Sequence, residues 1–368
     1  MRARVFQLLL IASTAVLALA ASPQPPNPTF IVHEWGTFTS VAGADGRAVQ
    51  WVPLSGQQDL PCFVERSPIT IKVSAMGTVR METPVLYFYS PRATEASVHV
   101  EFPQGLFTEW YPRATVPQPR ATSGGDISWP IVAIQPGVRA SFPTEGTENH
   151  YYAARETDAD PIRVGAKPEK FLFYRGVGQF QPAMSAVVLQ DGSVDLRNPG
   201  RTPLGDLVLF ENRHGAMTYA SLHVNGPTAV LARPSPDDAF GAPVAEVKRM
   251  LMANGLYARE AQAMIDTWKD SWFEEGARLL YIVPRADVDG ILPLTISPKP
   301  SAIARVFVGR IELVTQATLQ DVSAAIASGD RAALATYGRF LQPIAERAGL
   351  AAKVPANLVP PAPPPSCR

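Results

Sequence analysis

The chain has 368 residues, 46% of them hydrophobic and 18% charged, which supplies a real core and length enough for two folding units or one large one. Lysine plus arginine and aspartate plus glutamate number 33 each, so no net field would gather phosphate backbones or anionic lipid, and nucleic-acid binding is disfavoured. The 36 prolines suit short strands joined by turns better than a helical bundle.

Residues 1–20 have the form of a signal peptide. Arg2 and Arg4 precede an apolar run from Val5 to Ala20, shorter than the ~20 residues of a membrane span, and Ala18-Leu19-Ala20 supplies the small-x-small pattern of a cleavage site. Cleavage after Ala20 would deliver a periplasmic or secreted protein with no transmembrane span in its mature chain. An uncleaved amino-terminal anchor is the alternative.

From 27 to 235, short β-branched and aromatic runs alternate with Gly, Pro and Asn clusters, the rhythm of antiparallel sheet. Strands are expected at FIVHEWGTFTS (30–40), ITIKVSA (69–75), PVLYFYS (84–90), ASVHVEF (96–102), ISWPIVA (127–133) and KFLFYRG (170–176), with a long loop over 103–126. MSAVVLQ and SVDLRN flank Asp191-Gly192, a pair that tolerates the positive φ angles of a type I′ turn. A second hairpin turns between Asn212 and Gly215.

Over 243–315 the period changes to that of a helix. Val244, Val247 and Leu251 lie on one stripe that Asn254-Gly255 ends; Ala261, Met264, Ile265, Trp268 and Trp272 form the stripe of a second helix. Strands return at RLLYIV and IARVFVGRIELV, so the helical hairpin is expected to be inserted into, or packed on, the sheet. Within 316–350, Thr318 and Asp321 read as a capping box, Gly329 as a stop, Asp330 as the next cap, and Pro343 as a kink or end. A proline-rich tail fills 351–368. The fold class expected is α+β: mainly antiparallel, β-sandwich-like sheets with a helical hairpin and a C-terminal helical pair.

The two cysteines, Cys62 and Cys367, sit far apart in the sequence. In an oxidising compartment a lone pair is commonly bonded, which would pin the tail to the body; a free tail ending in a thiol is the other reading.

HEWGTFTSV, RMETPVLYFYS, HYYAARET, EKFLFYRG, TWKDSWFEEGARLLYIVP and RVFVGRIEL together resemble a family of exported bacterial proteins with no assigned activity. The resemblance spans most of the mature chain. It implies export and one integrated unit, and nothing about substrate.

GxSxG, HExxH, CxxC, GxxxxGK and strand-linked GxGxxG motifs are all missing, and the five histidines match no standard metal spacing. Candidate chemistry therefore rests on clusters. Alternation along FIVHEWGTFTS puts Glu34 with Phe30, Val32 and Phe38, and His33 with Trp35 on the opposite face. A carboxylate there is either a desolvated general acid or is held by a partner such as an arginine from a neighbouring strand. In TEGTENHYYAARETDAD (144–160), a strand would place Glu148, His150 and Glu156 on one face. If His33 or Glu34 joined them, metal ligands or catalytic carboxylates would converge; otherwise the segment is a solvated acidic loop. Trp268 and Trp272 either line a stacking surface for sugar or belong to the core. Arg305 and Arg310 are expected ion-pair partners.

The leading functional expectation is an exported cell-envelope or extracellular binding or scaffold protein of unknown ligand. The rival is a hydrolase acting on an envelope or environmental polymer through Glu34, Glu148 and Glu156, with a divalent metal at His33 and His150 as an open option. No other cofactor is called for.

Overall fold

The computed structural model describes residues 29–54, 59–67, 76–117, 124–145, 149–198, 200, 202–234, 241–355 and 358. The signal peptide expected at 1–20, the strand expected at 69–75, Glu148 and Cys367 lie outside the described residues, as therefore does the expected Cys62–Cys367 bond.

In chain order the strands are β1 (Ile31–Val41), β2 (Glu65–Arg66), β3 (Val79–Tyr89), β4 (Thr94–Phe102), β5 (Gly105–Tyr111), β6 (Gly125–Ile134), β7 (Ile162–Val164), β8 (Lys167–Glu169) and β9 (Leu172–Gly178). They continue as β10 (Ser185–Val188), β11 (Val194–Arg197), β12 (Gly205–Arg213), β13 (Ala216–Val224), β14 (Thr228–Leu231), β15 (Gly276–Ile282), β16 (Leu294–Ser297) and β17 (Ala302–Leu313). The helices are α1 (His150–Ala153), α2 (Gly241–Ala253), α3 (Ala258–Trp272), α4 (Arg285–Ile291), α5 (Gln316–Ser328), α6 (Arg331–Ala335) and α7 (Leu341–Arg347). No helix among the described residues is long and apolar enough to cross a membrane.

The fold is α+β, as expected. A nine-stranded sheet runs β13-β12-β15-β17-β1-β3-β9-β5-β2, beside a five-stranded sheet β16-β4-β6-β7-β8 and a three-stranded sheet β10-β11-β14. β1 lies in the middle of the large sheet, parallel to β17 and antiparallel to β3, and both its faces are buried. That is why its sequence does not alternate apolar and polar: each face packs against a different layer.

Val32 and Phe38 face the two smaller sheets, meeting the core that holds Val98, Val100, Phe102, Ile127, Trp129, Val194 and Leu196. Trp35, on the other face, joins Tyr87, Phe173, Val306 and Val308 in packing against Leu251 of α2 and Met264, Ile265, Trp268 and Trp272 of α3. Trp268 and Trp272 are thus core. Burial of one such ring is worth roughly 4–6 kcal/mol at ~25 cal/mol per Å2 over 150–250 Å2, an upper estimate. A third core joins Val41, Trp51 and Val314 to Val322, Leu334, Phe340 and Leu341 of the C-terminal helices.

Several local expectations are corrected. The loop expected over 103–126 contains β5, which pairs with β9, because Leu106, Phe107 and Trp110 carry strand character between the prolines. The strand imagined through His150 is the short helix α1, whose N-cap Asn149 accepts from the amide of Tyr151. The α5 cap is Thr315, three residues before the expected start, with Thr318 donating its amide to it. Pro343 lies in the first turn of α7, where no amide is needed for helix bonding, so it belongs to that helix and does not stop it. At Asp191-Gly192 the strands end at Val188 and Val194 and Gly192 alone has positive φ, 84°; the two-residue turn is at His214-Gly215, with φ of 53° and 83°. Gly329 and Asp330 cap as expected.

Candidate functional site

The structure pulls the candidate residues of the sequence apart. Glu34, fully buried, faces the small sheets. Its carboxylate accepts from the hydroxyl of Tyr174 on β9 and from Nε of Arg305, the residue directly across from it on β17. Arg305 continues to Asp289 (2.8 Å) and to the carbonyl of Leu292 (2.7 Å). Burial alone would lower the Arg305 pKa, but Glu34 outweighs it and holds it above its ordinary value. Glu34 is a bracing carboxylate with both oxygens engaged.

His33 points the other way. Its Nδ1 meets Glu260 at 2.8 Å; the same buried carboxylate accepts from the Tyr89 hydroxyl (2.8 Å) and the Tyr257 amide (2.7 Å), closing the capping box of α3. His33 therefore fastens the helical hairpin to the sheet. His150 is half-exposed, 3.6 Å from Asp270, and Glu156 is exposed beyond α1. Among the described residues, no three His, Cys, Asp or Glu side chains stand where they would hold one metal ion.

Between the second and third cores, the Trp35 face of the sheet carries a layer of buried charge. Glu82 of β3 takes Thr39, both terminal nitrogens of Arg339 (2.9 and 3.0 Å) and, at 3.7 Å, Arg80. Glu312 of β17 is shared by Arg278 and Arg310, and Arg310 also reaches Glu274 (2.8 Å) and Ser271 (2.7 Å). Arg175 pairs with both oxygens of Asp59 and reaches Thr83, whose φ of 46° marks the bulge between β3 and its neighbours. Burial pushes Glu82 upward, but Arg339, Arg80, Thr39 and Arg310 outweigh it and bring it down to about 2. Glu312 is likewise lowered, with Arg278 and Arg310 overcoming its burial. The layer clamps β1, β3, β15 and β17 to the C-terminal helices.

Polar side chains that make no hydrogen bond to another described residue open onto a cleft of about 450 Å3 on the Glu34 face of the sheet. Phe38 and Ser40 of β1, Tyr281 of β15, Asp287 of α4, Gln104 before β5, and Phe180 after β9 line it. No hydrogen bond joins the side chains of Ser40, Gln104, Tyr281 or Asp287 to another described residue, and none of their polar atoms is among the fully buried ones left without a partner, so they open onto the cleft, Gln104 from an exposed position. Desolvation raises the pKa of Asp287; burial and then the charge of Asp287 raise that of Tyr281. A second cleft, about 560 Å3, is lined by Asp206, His223, Asn254 and Arg285. There most polar side chains are already used: His223 binds Asp206 and Asn225, Asn254 the carbonyl of Met250, and Arg285 binds Asp289, while Arg305, which also lines it, keeps one buried Nη2 without a partner among the described residues. Four side chains with polar ends free of bonds to described residues, set among apolar walls, mark the first cleft as the candidate ligand site.

Sequence reasoning missed this cleft because its walls come from five separate segments, at 38–40, 103–104, 180–183, 281–291 and 311. One signal was present: Gly309, in RVFVGRIEL, leaves the room over which the Tyr281 ring lies, and a Cβ there would overlap that ring. No protein-family model matches this chain, and no curated protein matches it.

Proposed function

We propose that the protein is an exported binding protein of the cell envelope or extracellular space, and that its ligand occupies the cleft beside β15 and α4. The observation that carries this reading is a cleft of about 450 Å3 onto which the side chains of Ser40, Gln104, Tyr281 and Asp287 open without hydrogen-bonding another described residue, so that a bound molecule could bond them in place of water. The leader at 1–20 supports the export half, and the locking of Glu34 by Tyr174 and Arg305 argues against the hydrolase reading, since a carboxylate with both oxygens engaged is poorly placed to exchange a proton with substrate.

A thermal-shift screen of small metabolites on the purified protein tests the binding half. Ligands that raise the melting temperature should lose that effect in Ala286→Trp, which fills the cleft from an exposed position on α4. Ligand stabilisation that survives this substitution would place the site elsewhere. Amino-terminal sequencing of secreted material tests export: a start at Ala21 is expected, and an intact Met1 would contradict it.

A further inference from the structure

The charge pattern of the cleft narrows its ligand, provided the cleft is a binding site as proposed above. Asp287 is the one charged side chain among its lining residues; no lysine, arginine or histidine lines it. That carboxylate has no ion-pair partner among the described residues, and the nearby Arg285 is committed to Asp289 at 2.8 Å and to the carbonyl of Ile303 at 2.9 Å. A partly desolvated carboxylate without a counter-charge is costly, which agrees with its raised pKa. Around it stand Phe38, Phe180 and Tyr281. Phe38 meets Phe180 edge to face at 5.6 Å and stacks on Phe307 at 4.9 Å, so these rings are fixed in place.

An anionic ligand would meet only like charge here. A neutral polyol would find hydrogen bonds but leave the charge of Asp287 uncompensated. An ammonium group neutralises that charge, and its apolar substituents can lie along the ring edges that line the cleft. We infer that the cleft takes a small organic cation, an amine or quaternary ammonium compound, with its nitrogen at Asp287 and its apolar part against Phe38, Phe180 and Tyr281.

Isothermal titration of the full mature chain with 2-phenylethylamine, choline and 2-phenylethanol tests this. The amine and the alcohol share size and ring and differ in charge, so the comparison needs no variant. The amine is expected to bind at least tenfold more tightly than the alcohol. Asp287→Asn should remove that tenfold preference, and Asp287→Glu should keep most of it, with circular dichroism showing both variants folded. Equal affinity for amine and alcohol, or a preference that persists in Asp287→Asn, overturns the cationic ligand class while leaving the cleft a binding site. Binding of neither cationic probe overturns the class as well. Preferential amine binding that is unchanged in Ala286→Trp overturns the assignment of both to this cleft.

Discussion

Glu34 shows how one side chain can look chemical in sequence and prove structural in three dimensions. Its place on an apolar face was legible from alternation, and so was the need for a partner. The identity of that partner was not, because Arg305 lies 271 positions away and reaches Glu34 through the parallel pairing of β1 with β17. Removing one member of a buried pair leaves the other charge uncompensated, so Glu34→Gln is expected to cost about 3 kcal/mol, moderated by Asp289, which still holds Arg305. Denaturant unfolding measures it. Replacing both partners, Glu34→Leu with Arg305→Met, should recover much of that loss, and a double variant as unstable as the sum of the two singles would show that the residues do not act as a pair. The groups that line the cleft were not legible at all. Ser40, Gln104, Tyr281 and Asp287 have ordinary sequence neighbours, and only tertiary placement brings them to one cleft.

Helical and strand periods carried most of the element-scale reading. α2, α3 and the strands β3, β4, β6, β9, β15 and β17 lie where apolar spacing put them, whereas β5 was hidden by flanking prolines and α1 by a polar run whose Asn149 cap was not recognised. The stripe of α3 is buried, with Trp268 5% and Trp272 0% exposed. Trp268→Ala should therefore destabilise by about 3–5 kcal/mol, as truncation of a buried aromatic does. Its Nε1 has no acceptor among the described residues, so Trp268→Phe should cost far less. Calorimetric melting of the two variants separates these outcomes, and a Trp268→Ala protein that melts with the wild type would contradict the packing of the hairpin on the sheet.

For the whole molecule, the buried charge layer ties sheet, hairpin and C-terminal helices into one cooperative unit, and it makes stability depend on pH. Glu82 is held at about 2 against an ordinary 4.5. A depressed carboxyl stabilises the fold above the unfolded value and loses that contribution as pH falls through the folded one, so about 3 kcal/mol should disappear between pH ~4.5 and ~2 from this group alone. Glu312 adds a loss of the same sign. Unfolding free energies measured down this range should drop less steeply in Arg339→Met, which removes the strongest cation acting on Glu82; equal slopes would mean that the layer does not set the acid limit. The cleft lies on the opposite face of the same sheet, so ligand chemistry and structural charge are kept apart. The most direct measurement is a crystal structure of the protein saturated with 2-phenylethylamine. Ligand is expected in the cleft, its nitrogen within hydrogen-bond distance of the Asp287 carboxylate and its ring against Phe38, Phe180 or Tyr281; an empty cleft with ligand bound beside Asp206 and His223 would contradict the assignment.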